Sequence, residues 1–434
     1  MEEFANEQTF KSYLVFWIGQ LFSLLGSTVV FFVLMYWIAD VFRDPMALAL
    51  ASFLYILVMT VCMPIAGVLA DRVNRKMLIL VVDSLQAFAT FILILLFQYG
   101  VANIWIVYIF ISLRSMFQAF HTPTVNAIIP SMVPKDKLSR INGVNFLFTG
   151  VVQLLAPFLG ATLLLFMSVY MILWVDVITF FIALIPLLII SIPSVKDIDK
   201  VVNQNGEVET EKRSFMQDFK LGFKTLKLIP GLVIMIILSM LLNFLLMPLK
   251  TLMPLFIIED HGGTVGHLAF AQMVFTGGMI LGAIVTSVKK KWNNKIRVIF
   301  ISIVIALIGY LIFAIAPTGS FIIMGLGGAI LGFNLPIINS LYQTFVQTTV
   351  PHDKIGKVTS IDHALSSAIS PIGSLLSGAL ALVLGIPLLF SLCALIGILW
   401  TLGIWFFTSI RKVDIDSEHE LEKINGKIND LTTT

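Results

Sequence analysis

Five charged side chains stand inside apolar runs long enough to cross a bilayer: Asp83, Arg114, Asp176, Lys250 and, near the start of its run, Asp362. A charge in hydrocarbon costs at least a few kcal/mol, so it calls for a partner, a watery cavity or a function. Arg114 lies eleven residues beyond Asn103, about 16 Å along a helix and close to mid-membrane. Asp83 and Asp176 each sit roughly two turns into their runs. Either carboxylate can serve as a titrating partner: protonation releases the guanidinium, and loss of the proton restores the pair. A fixed structural ion pair is the alternative for both. Lys250 could meet an anionic part of a ligand, but the favoured reading is that its long stem snorkels toward Glu259 and Asp260. His121 borders one end of its run and reads as interfacial, and Asp362, close to Lys357, as a capped or interfacial acid.

Aromatic and amide residues form a second group. Trp17, Gln20, Trp37, Asn145, Gln153, Asn243, Asn334 and Gln343 are candidates to line a cavity for an amphiphile, together with Lys250; plain packing is the alternative for each. Chemistry of other kinds lacks its residues. There is no HExxH, no Ser/His/Asp constellation and no loop cluster of His and Cys. Cys62 and Cys393 fall inside apolar runs and supply neither a disulfide nor a metal framework. An enzyme is therefore not expected, nor a cofactor or metal.

The elements that must position these residues follow from composition. Of 434 residues 58% are hydrophobic and only 12% charged, with a mean hydropathy of +0.98. A soluble chain has about 25% charged residues. The apolar runs predict an all-α polytopic membrane protein, with twelve spans at 12–38, 46–70, 77–98, 103–126, 141–166, 169–192, 231–258, 264–288, 298–316, 320–346, 358–384 and 387–409. Six of them make an N-terminal bundle over 1–192 and six a C-terminal bundle over 230–409, separated by a linker at 193–229 and followed by a tail at 410–434. All of the 28 lysines and arginines except Arg43, Arg114 and Lys250 fall on the side of the termini and the linker. The positive-inside rule puts that side in the cytoplasm. Because the basic residues are dispersed between spans, nothing points to nucleic acid. The partners expected are lipids, protons and a small molecule, with the chain acting as a monomer.

The two halves echo each other. Pro123 and Asn126 match Pro336 and Asn339, while Pro134, Asp136, Lys137 and Arg140 match Pro351, Asp353, Lys354 and Lys357. A proline follows in the next span of both halves, Pro157 and Pro371. Parallel six-helix repeats with substrate handled between them characterise one large group of transporters.

With that architecture, the stretch GVLADRVNRK from Gly67 to Lys76 resembles the signature loop of the major facilitator superfamily. Gly67, Asp71, Arg72, Arg75 and Lys76 fit the pattern, and Asn74 stands near the slot of the usual glycine, where asparagine tolerates a left-handed backbone. The resemblance implies a conformational latch on the cytoplasmic side. In it Gly67 would permit close helix approach, and the basic residues would meet headgroups and neighbouring helix ends. WIGQLFSLLGS, RSMFQAFHTPTVNAIIPSMVPKDKL, WVDVITF and MPLKTLMPL resemble the macrolide-efflux branch of bacterial drug exporters. Gly150, Pro157 and Gly160 are similar to part of the antiporter motif of the fifth helix, and Arg114 to the family's arginine of the fourth. The resemblance implies export of amphiphilic drugs by proton antiport in a bacterial cell membrane. A lipid or glycolipid flippase, or an exporter of siderophores or metabolites, is the alternative on the same scaffold.

Overall fold

The computed structural model describes residues 6–70, 72–192, 229, 231–289, 292–350 and 355–412, and among these every regular element is helical. Six helices form the first series: α1 (Glu7–Phe42), α2 (Pro45–Ala70), α3 (Arg75–Gln98), α4 (Ile104–Met132), α5 (Lys135–Leu164) and α6 (Val169–Ile189). The second comprises α7 (Leu232–Leu255), α8 (Val265–Val288), α9 (Lys295–Ala314), α10 (Phe321–Thr349), α11 (Ile355–Ala368), α12 (Ser370–Leu384) and α13 (Ile386–Phe407). They supply twelve stretches long and apolar enough to cross a membrane, as the runs of the sequence predict. The eleventh joins the end of α11 to α12.

Helix ends are fixed by caps, which hydropathy does not see. Asn6 accepts from the Gln8 and Thr9 amides while Thr9 returns a bond to the Asn6 amide, so α1 begins five residues before the apolar run. Asn103 caps α4 through the Ile106 amide at 3.0 Å, and Asn294 caps α9 through the Arg297 amide at 3.2 Å. The prolines of the repeat act differently in the two halves. Pro157 stays within α5, whereas Pro371 stands in the first turn of α12, where its ring and missing N–H end α11 at Ala368. After Pro254, the end of α7 widens into a π-helical turn, Phe256–Asp260.

Two compact units emerge: Met1–Glu209 with Gly263–Ala269, and Thr210–Gly262 with Phe270–Thr434. In the first, α1 packs on α5 and α6, α3 on α4 and α6, and α2 on α4. Gly26 makes the α1–α6 contact possible. A Cβ there would stand 2.0 Å from Thr179 Oγ1 and 3.0 Å from Asp176 Cα. The second unit holds its own core, with α9 packed on α10 and α13, and α7 on α11, α12 and α13. Gly332 lets α10 close on α8, since a Cβ would lie 2.1 Å from the Phe275 carbonyl oxygen.

Candidate functional site

Four helices of the first unit aim polar side chains at one point. Arg114 from α4 and Asp176 from α6 are both buried and form an ion pair, Nη1 to Oδ2, at 2.5 Å. Thr90 of α3 donates to the same Oδ2 at 2.7 Å and also contacts the guanidinium. Ser27 of α1 donates to Oδ1 at 2.9 Å and itself accepts from Gln86 Nε2 at 2.7 Å. Asp176 thus gathers donors from α1, α3 and α4, which is what an ionised carboxylate in an apolar bundle requires. Local sequence accounts for the convergence. Gly26 brings α1 against α6 beside Ser27, and the buried face of α3 carries Asp83, Gln86 and Thr90 at helical spacing.

Of the two carboxylates predicted to partner Arg114, Asp176 does so and Asp83 does not. Asp83 Oδ1 faces His121 Nε2 at 3.5 Å, and the same nitrogen lies 2.8 Å from Gln20 Oε1. His121 points into the bundle, because its place on α4 is two turns from Arg114 on the same face. Asp362 also departs from expectation. It is buried on α11 and accepts from Tyr342 Oη at 2.9 Å and Ser366 Oγ at 3.2 Å. One of those neighbours, Tyr342, comes from α10.

The signature loop binds helix ends together within the first unit. Arg75 donates to the Ala127 carbonyl of α4 at 2.9 Å, and Lys76 to the carbonyls of Leu188 and Ile190 at 2.8 and 2.6 Å. Those are cations on C-terminal carbonyls, the favourable end of the helix dipole. Arg72 is exposed, and Asp71 lies outside the described residues. Among the described residues a Cβ on Gly67 would meet nothing within 4 Å. Asn74 has φ −64° and caps α3 through the Met77 amide; the left-handed backbone is not used.

Predicted cavity residues scatter. Trp17 donates to Asn145 Oδ1 at 2.9 Å and stacks edge-on against Phe148, joining α1 to α5. Trp37 packs against Phe42 and Phe97. Gln153 is exposed, Gln343 half-buried, and Asn334 buried with its amide on the Ile330 carbonyl. Asn243 lines a small cleft of about 100 Å³ between α7, α9 and α10 of the second unit. Ser239, Asn339 and Tyr342 are its other polar wall groups amid leucines and isoleucines. Such a cleft suits a mainly apolar molecule held by a few hydrogen bonds. Lys250 is exposed and makes no ion pair with Glu259 or Asp260 among the described residues, so the expected snorkelling contact is absent. Gly160 behaves as its motif implies: a Cβ would strike Phe32 of α1 at 2.7 Å.

Among the described residues no group of His, Cys, Asp and Glu could hold a metal. Twelve spans among the described residues, a charge cluster sealed within one bundle and a small apolar cleft in the other go with a membrane transporter rather than an enzyme. A family model described as the Major Facilitator Superfamily matches residues 16–371, and the chain belongs to that family. It is 27% identical over 415 residues to macrolide efflux protein A of Streptococcus pyogenes, covering 96% of this chain and 100% of that one. Macrolide efflux protein A of Enterococcus faecalis is 28% identical, over 71% of this chain and 93% of its own length. The solved nucleoside transporter NupG shares the fold at a TM-score of 0.70 and 14% identity, covering 93% of this chain and 100% of that one.

Proposed function

We propose that the protein is a secondary active exporter that moves amphiphilic, macrolide-like molecules out of a bacterial cytoplasm in exchange for protons. The buried Arg114–Asp176 pair carries the proton half of this reading. A proton on Asp176 would neutralise the acceptor of three donors and free Arg114, so that protonation selects between two packings of α1, α3, α4 and α6. A proton crossing the membrane contributes about 2.3 kcal/mol per 100 mV, plus its pH term, enough to bias states a few kcal/mol apart. The named relatives support the substrate class. The dispersed lysines and arginines support cytoplasmic termini with the linker at 193–229 on the same side. The chain would act as a monomer in the cytoplasmic membrane, alternating access between its two bundles, with the 67–76 loop as the latch.

The test is transport of tritiated erythromycin in proteoliposomes under an imposed pH gradient. Wild-type protein should accumulate the drug uphill while its partner compartment changes pH. Arg114→Ala and Asp176→Asn should each abolish accumulation and leave drug binding intact. Uphill accumulation by both variants at the wild-type rate would remove Arg114 and Asp176 from the coupling.

A further inference from the structure

Lys250 is the one charged residue of α7 between Leu232 and Leu255, and its surroundings are not those of a lysine lying along lipid. From Met247 to Ile257 every other residue is buried, while Lys250 is exposed. A lysine that snorkels over a lipid-facing surface shares its helix face with exposed apolar neighbours one turn away. Here those neighbours, Met247, Met253 and Pro254, are buried. Packing within the second unit encloses the adjoining side of the helix. Thr251 Oγ1 lies 3.3 Å from Ser374 Oγ of α12, and a Cβ on Gly373 would meet Met247 at 3.1 Å. Lys250 therefore reaches open space from an otherwise enclosed helix, with no ion pair among the described residues.

The face of α7 that carries Lys250 is also the face that walls the cleft. Ser239, Asn243 and Leu246 line it, and Lys250 continues their series at steps of four, three and four residues, the spacing of a single helix face. It stands four residues beyond Leu246, about 6 Å along the axis. The walls of the cleft hold no charged group. A cavity of about 150 Å³ lined by apolar side chains holds benzene, so the 100 Å³ here takes a short apolar arm. Asn339 and Tyr342 on the opposite wall can bond a hydroxyl or carbonyl carried on that arm. Glu259 and Asp260, the nearest acids in the sequence, lie more than two turns further along the chain.

We infer that Lys250 and the cleft between α7, α9 and α10 form one binding site for an acidic amphiphile. An apolar arm enters the cleft, and a carboxylate, sulfonate or phosphate meets the Lys250 ammonium. The ammonium brings three donors, and away from bulk water an anion opposite it counts for more than at a surface. The site sorts amphiphiles by the charge of the head, favouring acids over neutral molecules of the same skeleton. That such a molecule is cargo rests on the exporter reading; an anionic lipid headgroup presents the same chemistry.

The probe is tritiated fusidate, an amphiphile with one carboxylate, against its methyl ester, bound to the full chain in phosphatidylcholine nanodiscs. Wild-type protein should bind the acid about tenfold or more tighter than the ester, the worth of a hydrogen bond to a charged group. Lys250→Gln should bind the two alike, and Lys250→Arg should keep the preference. Leu246→Trp, which fills the cleft, should weaken acid and ester together. Failure of wild type to bind either compound, or a preference for the acid that persists in Lys250→Gln, would overturn the site. So would equal binding of acid and ester by wild type. Phosphatidylglycerol added to the nanodiscs separates the two sources of the anion. Competition with fusidate in wild type but not in Lys250→Gln would make the occupant a lipid, and binding that ignores the lipid would make it a solute. None of these measurements uses a gradient. A proton-coupled exporter without the acid preference would lose this site alone, whereas the preference in a protein that accumulates nothing uphill would leave the site and remove the coupling.

Discussion

Each donor around Asp176 has a distinct physical job, and single substitutions separate them. Thr90→Val keeps shape but removes the hydroxyl shared by Asp176 and Arg114. Leaving those buried groups short of one partner should lower stability by about 1–3 kcal/mol, read as a fall in detergent-solubilised melting temperature. Arg114→Lys retains charge on a flexible stem but loses the planar guanidinium that holds Thr90 and Asp176 together, so it should couple transport partially where Arg114→Ala does not couple at all. Initial rates under the same pH gradient would rank the three proteins. A lysine variant as inactive as the alanine one would show that geometry, and not charge, is what coupling needs. Lys250 belongs to this scale too. Its exposure on α7, with no ion pair among the described residues, is a fact of its surroundings that the nearby acids in the sequence did not convey.

Among the elements, the α1–α6 seam decides whether the site exists. Gly26 permits an approach in which even a methyl would lie 2.0 Å from Thr179 Oγ1. Gly26→Ala should therefore push α1 away from α6, costing about 1–3 kcal/mol as an overpacked core does, and separate Ser27 from Asp176. Thr179→Ala in the same chain removes the nearest atom and should recover part of the lost melting temperature and transport. A Gly26→Ala protein as stable as wild type would mean that the seam yields freely. The broken eleventh span makes the same point from the other half. Each half carries a proline in the span after the repeat, Pro157 and Pro371, yet α5 is continuous and α11 stops at Ala368.

For the whole molecule, the strongest constraint is topological. Twelve spans would return the chain to the side on which it began, and on that reading all but Arg43, Arg114 and Lys250 of the basic residues fall on that side. Reporters fused after Thr434 and inserted in the 193–227 segment should both report cytoplasm, with alkaline phosphatase silent and green fluorescent protein bright. An active phosphatase at either site would contradict the orientation.

Number, order and approximate limits of the spans were already present in the sequence, because the penalty for exposing charge to hydrocarbon acts on every residue and leaves long unbroken runs. So was the need of Arg114 for a partner, since an arginine in such a run cannot stay unpaired. The partner was not legible. Asp83 and Asp176 have equal depth by counting residues, and only the crossing of α1, α3, α4 and α6 put one against Arg114 and the other against His121. The caps that start α1 and α9, the open surroundings of Gly67 and the burial of Asp362 beneath Tyr342 were likewise decided in three dimensions. Hydropathy is a property of a stretch and survives in one dimension, whereas a hydrogen bond between helices depends on rotation and height, which are set by the close approaches of neighbouring helices.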